Sequence, residues 1–179
     1  MPIKSDFGAA RKAAEKSGEL QSGDRFKIEE GPNRIRLLSE FLPHTSYFLP
    51  KNAKPGTVAT RRFQWLGYIL DRKDGQVKTF FMPNVIHGFV ESLQADPDWS
   101  FDEVPMPYDI TINAENAGKM EVKYSLTPSP KRVALTPAEE ATYISKKPIE
   151  EVQQAIYDKQ NEQTTAPTTP DFDPDIILF

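Results

Sequence analysis

Apolar and polar residues alternate with period two along several stretches of this chain, the pattern of strands that bury one face. In FKIEEGPNRIRLL, Phe26 and Ile28, then Ile35 and Leu37, are separated by charged or polar residues, and Gly31-Pro32-Asn33 interrupts the run. A first strand that bends or bulges at the glycine is expected. RRFQWLGYIL, the polar turn DRKDGQ and VKTFFM predict a β-hairpin with Asp74-Gly75 in its turn. Tyr108, Ile110 and Ile112 alternate on YDITINA. Met120, Val122, Tyr124 and Leu126 alternate on KMEVKYSLT, after the turn Glu115-Asn116-Ala117-Gly118. Between the hairpin and this pair the period changes. Val85, Ile86, Phe89, Val90 and Leu93 form a helical stripe, so residues 83–95 are expected as a helix with Pro83 at its first position.

The remaining segments read as connections and flanks. Residues 39–59 hold Pro43, Pro50, Pro55 and Gly56 and predict a long loop, a kind that is usually functional or mobile. DPDWSFDEVPMP is an acidic loop. TPAEEATYIS and KPIEEVQQAIYDKQ predict two helices, the first opened by a capping box from Thr136 to Glu139. The order strand, strand, strand, helix, strand, strand is that of an oligonucleotide-binding (OB) barrel. The expected architecture is therefore mainly β: a five-stranded OB-type barrel with a helix between strands 3 and 4, short flanking helices and a disordered acidic tail. Its parts are an N-terminal arm with a short helix (1–24), the barrel (25–130), a helical segment (131–160), a Thr/Pro linker (161–170) and an acidic tip (171–179).

Charge is segregated along this frame. The net charge of -4 is unlike that of a nucleic-acid binder, yet the segment Arg25–Phe81 carries 11 Lys/Arg against 5 Asp/Glu. Residues 82–132 reverse the balance, with 4 bases and 8 acids. A sign asymmetry of this size says more about partners than the total does. With no cysteine in the chain, disulfides and thiolate zinc sites are excluded, as fits a reducing cytoplasm. No stretch reaches the roughly 18 apolar residues of a membrane span, and no N-terminal apolar run resembles a signal peptide.

The basic segment also holds nine aromatic residues. Cations that track phosphates, interleaved with rings that stack on bases, are what sequence-blind binding of a single strand requires. On the third strand-like stretch Arg61, Phe63 and Trp65 share a face, and Arg62, Gln64, Leu66, Tyr68 and Leu70 share the other. The aliphatic residues mark the second face as the core side. The expected DNA contacts are Arg34, Arg36, Tyr47, Arg61, Arg62, Phe63, Trp65, Arg72, Lys73, Lys78 and Phe80. Arg11, Lys12 and Lys16 of the N-terminal arm are candidates for contacts to DNA or to a neighbouring protomer, which would make self-association on DNA part of coating. His44 and His87 lack any supporting ligand pattern and are expected at the surface. No catalytic constellation, cofactor motif or metal motif is present.

The last nine residues carry the most specific signal. Asp171, Phe172, Asp173 and Asp175 precede the apolar run Ile176, Ile177, Leu178 and Phe179, at the end of a polar linker. A peptide of this kind suits docking on a partner: the terminal ring fills an apolar pocket and the carboxylates meet a basic rim. It resembles the acidic C-terminal tip of bacterial single-stranded DNA-binding proteins, with Ile177-Leu178 where that family tends to have proline. FKIEEGPNRIRLL, ILDRKDGQVKTFFMP and YDITINAENAGKMEVKYSLTP are similar to phage-encoded single-stranded DNA-binding proteins. The resemblance implies an OB barrel over about 25–130, a non-enzymatic role in coating single-stranded DNA in replication, recombination and repair, and recruitment of host replication or repair proteins through the tip. It implies the cytoplasm of a bacterial host. Some relatives carry a zinc ribbon; without cysteine that metal is not expected here. Two other functions compete: an adaptor whose OB barrel binds RNA or protein, with the tip as its main interaction element, and a metal-dependent nuclease built on the acidic loop with Asp96, Asp98, Asp102 and Glu103.

Overall fold

A computed structural model describes residues 25–50 and 52–164, the last three by their backbone alone. The expected N-terminal arm, the end of the linker and the tip lie outside the described residues. Six strands and three helices follow in the order β1 (Gly31–Leu37), β2 (Leu42–Phe48), β3 (Thr60–Asp71), β4 (Gln76–Pro83), α1 (Asn84–Ala95), β5 (Tyr108–Glu115), β6 (Lys123–Arg132), α2 (Pro137–Ile144) and α3 (Ile149–Thr164). The fold is mainly β, a single antiparallel sheet flanked by helices, as the alternation predicts.

The sheet runs β2-β3-β1-β5-β6, with β4 on the other edge of β3. β3 is long enough to serve three neighbours. Its first part pairs with β2, from Phe48↔Thr60 to Leu42↔Leu66. Its end pairs with β1, from Leu37↔Ile69 to Ile35↔Asp71. Its opposite edge takes β4 from Gln64↔Pro83 to Asp71↔Gln76. The change of partner falls at Gly67, where the ring of Phe41 crosses the strand so closely that a Cβ would lie 2.7 Å from it. Glycine is the only residue that admits that approach. Asp74-Gly75 makes the expected turn of the β3–β4 hairpin, with Gly75 at φ 70°.

The strand boundaries depart from expectation at the prolines. The predicted long loop contains β2, and the last strand begins at Lys123 and continues through Pro128 and Pro130. Met120, expected on that strand, is fully exposed in the turn before it. β2 and β6 end the sheet path, and an edge strand tolerates prolines because its outward N–H has no ladder bond to lose. Phe26 and Ile28 do not form a strand. Residues 25–29 are irregular apart from a parallel bridge between Arg25 and Thr79, where Phe26 N donates to Thr79 O at 2.8 Å.

Two apolar layers hold these elements. The larger is built from Ile35, Leu37, Ile69, Phe80, Met82, Ile110 and Ile112, with Ile86, Val90 and Leu93 of α1. Among the described residues β4 and β6 do not pair, so the sheet is not closed by hydrogen bonds. α1 packs on β3, β4 and β6 and fills that side. The smaller layer lies on the other face, where Leu38, Leu66, Tyr68, Leu70 and Val77 meet Ile149, with Tyr143, Val152 and Ile156 of the last two helices against them. β3 is thus buried on both faces from Leu66 onward. The Leu66–Leu70 face is a core face, as expected, yet the main core lies on the opposite side.

The C-terminal helices are anchored by polar contacts as well. The expected capping box is present: Glu139 N donates to Thr136 Oγ1 at 3.3 Å and Thr136 N to Glu139 Oε2 at 3.0 Å. α3 covers the free edge of β2, where Gln153 Nε2 donates to Pro43 O at 2.8 Å and Thr45 N to the Tyr157 hydroxyl at 3.3 Å. No helix among the described residues is long and apolar enough to cross a membrane.

Gly67→Ala should destabilise the domain by about 1–3 kcal/mol, because the methyl group is forced into the Phe41 ring. The urea midpoint should fall with an unchanged slope. Adding Phe41→Leu should recover part of the loss. Strictly additive losses would show that the ring does not constrain this position.

Candidate nucleic-acid interface

Opposed residues in an antiparallel pair share a face. The β2–β3 register sets Tyr47 opposite Arg61, Thr45 opposite Phe63 and Pro43 opposite Trp65. Tyr47, Arg61, Phe63 and Trp65 therefore lie on one face of this hairpin, and His44, Gln64, Ser46 and Arg62 on the other. Tyr47 is 64% exposed and Phe63 43%, which is unusual for large rings that have a core within reach. Arg61 and Arg62 are exposed as well.

Trp65 joins this row to the body of the protein. Its ring stacks on His87 of α1, with centroids 3.8 Å apart and planes 8° from parallel. Its Nε1–H donates to Asn84 Oδ1 at 2.9 Å, and Phe63 meets it edge-on at 5.5 Å. Burial lowers the pKa of His87 and outweighs the opposite pull of Glu91, whose Oε1 lies 3.2 Å from Nδ1. A neutral imidazole stacks on indole without a desolvation penalty. Three rings and a guanidinium thus follow one another along one face, an arrangement that suits unstacked bases and their phosphates.

A second cluster occupies the β3–β4 turn end. It borders an open cleft of about 1120 Å³ lined by eight Lys/Arg and four Asp/Glu. At its centre the carboxylate of Asp109, 3% exposed, accepts from Arg34 Nε at 3.0 Å, Arg36 Nε at 2.7 Å and Arg72 Nε at 3.1 Å. Arg72 Nη1 also donates to Glu139 Oε1 at 2.6 Å, and Arg36 Nη1 to the carbonyl of Val133. Nearby, Lys78 Nζ binds Asp71 Oδ2 at 2.8 Å and Asp74 Oδ2 at 2.6 Å, while Lys73 Nζ binds Glu29 Oε2 at 2.6 Å. Burial pushes the Asp109 carboxyl up, and the hydrogen bonds and charges of Arg72 and Arg36 more than reverse that, leaving it below its ordinary value.

The structure separates the expected contacts into groups. Tyr47, Arg61, Phe63 and Trp65 come together, with Arg62 on the reverse of the same hairpin. Arg34, Arg72, Lys73 and Lys78 gather at the far end, each already ion-paired. Phe80 is a correction: it is 2% exposed, in edge contact with Phe26 at 5.0 Å and Phe41 at 6.4 Å, and offers no free face to a base. Arg36 is another, since its 2% exposed guanidinium is spent on Asp109 and Val133. Neither histidine is a free surface group. His44 is 1% exposed and His87 backs Trp65. Nothing in the sequence pointed to Asn84, or to His87 as a partner of Trp65. Their spacing of three places them on one side of α1, but nothing local tells that Trp65 meets that side. Among the described residues no group of three or more His, Asp or Glu could hold a metal ion. The tip residues, Asp171 to Phe179, lie outside the described residues.

Asp109→Ala should cost about 3–5 kcal/mol, because it strands the buried Arg36 charge. The wild-type carboxylate has a folded-state pKa below its unfolded one. Its contribution is therefore present above about pH 4 and is lost below it, as pH falls through the lowered folded-state pKa. Urea midpoints measured from neutral pH downward should drop more steeply for wild type than for Asp109→Asn; parallel curves would contradict this role.

The chain matches no family model, and comparisons with curated proteins and with solved structures return no match.

Proposed function

We propose that this chain binds single-stranded DNA without sequence preference and without catalysis, by stacking bases on the β2–β3 hairpin. The observation that carries the proposal is the row Tyr47, Arg61, Phe63 and Trp65 on one face, with its outer rings exposed and its inner ring held by Asn84 and His87. Bases unstacked from a duplex have two apolar faces, and each aromatic platform contributes roughly 1–3 kcal/mol. Arg61 beside the rings, and Arg62 on the back, supply positive charge for the phosphates.

The strand order supports an OB-type barrel. β1 pairs with both β3 and β5, a β3–β4 hairpin leads into a helix, and β5 and β6 complete the set. In this proposal α1 closes the side where β4 and β6 do not pair, and β2 is an added hairpin arm. Function then follows the resemblance in the sequence: a phage-type protein that coats single strands in a bacterial cytoplasm during replication, recombination and repair. Asp171, Phe172, Asp173, Asp175 and Ile176 to Phe179 would dock on replication or repair proteins.

Oligo-dT should quench the fluorescence of Trp65, and binding should weaken steeply with added salt. Phe63→Ala, whose ring is outside the core, should lose about 1–3 kcal/mol of affinity while its thermal unfolding stays as in wild type. Undiminished oligo-dT binding by Phe63→Ala and Tyr47→Ala together would remove the hairpin from the interface.

Removal of residues 171–179, or Phe179→Ala, should abolish capture of replication and repair proteins from bacterial lysate while oligo-dT binding persists. Equal recovery with the full chain and both variants would refute a docking role for the tip.

A further inference from the structure

The reverse face of the hairpin holds a buried titratable group that the proposed binding face does not use. His44 sits on β2 at 1% exposure, and among the described residues neither ring nitrogen has a hydrogen-bond partner. Buried imidazoles ordinarily engage at least one nitrogen, and leaving both bare is costly. The ring is held by aromatic contacts instead. It stacks on Tyr157 of α3 with centroids 4.9 Å apart and 13° between planes, and Phe81 of β4 meets it at 5.3 Å. Tyr157 is also the residue whose hydroxyl caps Thr45 N on the edge of β2.

Among the described residues, the one charge that acts on the ring is positive. The Arg25 guanidinium lies 4.2 Å over the Phe81 ring, and Arg62 is close enough to lower the pKa of Arg25. Gln64, opposite His44 on β3, turns its amide to Phe81 O, and Gln153 of α3 donates to Pro43 O. The charged residues of α3 near this point, Glu150, Glu151, Asp158 and Lys159, are all solvent-exposed, and Asp158 accepts from Gln154. Among the described residues no carboxylate pairs with the imidazole. Burial first, and Arg25 second, lower its pKa from the ordinary value.

We propose that His44 is an acid-sensitive latch: neutral, it serves as the stacking platform that docks α3 on the hairpin, and protonated, it releases the helix. A proton added to the docked ring creates an unpaired charge in an apolar site beside Arg25. Once α3 leaves, the same charge is hydrated. Protonation therefore favours the undocked state. The sign follows from linkage. A histidine whose docked pKa lies below about 6.5 keeps its full contribution above that value and loses it as pH falls, by up to about tenfold in the docking equilibrium per pH unit. This device goes beyond the binding proposal and does not depend on it. It links the side of the hairpin opposite the aromatic row to the helix that leads toward the C-terminal tip.

The test uses the full chain, with amide exchange of residues 149–161 measured from about pH 8 to about pH 5 and corrected for intrinsic pH dependence. The His44 ring proton is titrated by NMR over the same range, with His87→Gln used to assign the two histidines. Protection of α3 should fall by about tenfold or more over the acid end, in step with a His44 midpoint below about 6.5. His44→Phe, which keeps the stack but has no proton to gain, should hold α3 protection constant. Constant protection in wild type, an ordinary or raised His44 midpoint, or the same loss in His44→Phe would each overturn the latch. Should His44→Phe not fold, the coincidence or divergence of the two wild-type curves decides.

Discussion

Asp109 is the point on which the separate parts of the structure converge. A carboxylate on β5 with almost no exposure can remain charged only if its oxygens are satisfied, and three guanidiniums do so. Arg34 and Arg36 come from β1 and Arg72 from the β3–β4 turn, so one side chain ties three neighbouring strands across the face opposite the main core. Two of the same guanidiniums carry the connection onward, Arg36 to the Val133 carbonyl and Arg72 to Glu139 at the start of α2. Glu139 in turn caps its own helix. The C-terminal helices are thus held to the sheet by charge at one end and by the apolar layer around Ile149 at the other.

That arrangement explains why the basic segment does not present a uniform basic surface. Five of its cations, Arg34, Arg36, Arg72, Lys73 and Lys78, have acidic partners within the domain. Lys78 binds two carboxylates, and its pKa is raised because Asp71 and Asp74 outweigh burial. The proposed binding face instead uses Arg61, and Arg62 behind it, on the hairpin; neither forms an ion pair among the described residues. There the rings of Tyr47 and Phe63 stand in solvent as well, so cation and platform coincide on one element.

The alternation of Tyr108, Ile110 and Ile112 made β5 legible, because a strand between two neighbours with one apolar core beneath it shows the pattern in full. The Asp74-Gly75 turn, the stripe of α1 and the Thr136–Glu139 cap were equally plain, each being set by residues close in sequence. Pro43, Pro128 and Pro130 misled because tolerance of proline depends on being at the end of a sheet, which is decided by elements far away. Phe80 and Phe81 are adjacent and chemically alike. Only the register of β4 on β3 sends one into the main core and leaves the other beside His44. Arg36 alternates with Ile35 and Leu37 as a solvent-facing residue should, yet the face it points to is covered by Val133 and the segment leading to α2. The grouping of Arg61, Phe63 and Trp65 could be read from the period alone. The backing of Trp65 by α1 could not.

α3 does more for β2 than bury apolar area. β2 is a terminal strand whose last residues, Tyr47 and Phe48, and the following Leu49 are all more than half exposed. A strand of that kind is a template: its outward N–H and C=O groups can accept a strand from another molecule. Here Pro43 has no N–H to offer, its carbonyl is taken by Gln153, and the Thr45 N–H is taken by Tyr157. The helix therefore acts as a removable third neighbour of the edge. Any truncation or mutation that detaches it uncovers a sticky β-edge next to exposed aromatic residues, and so converts a stability defect in one molecule into intermolecular pairing between many.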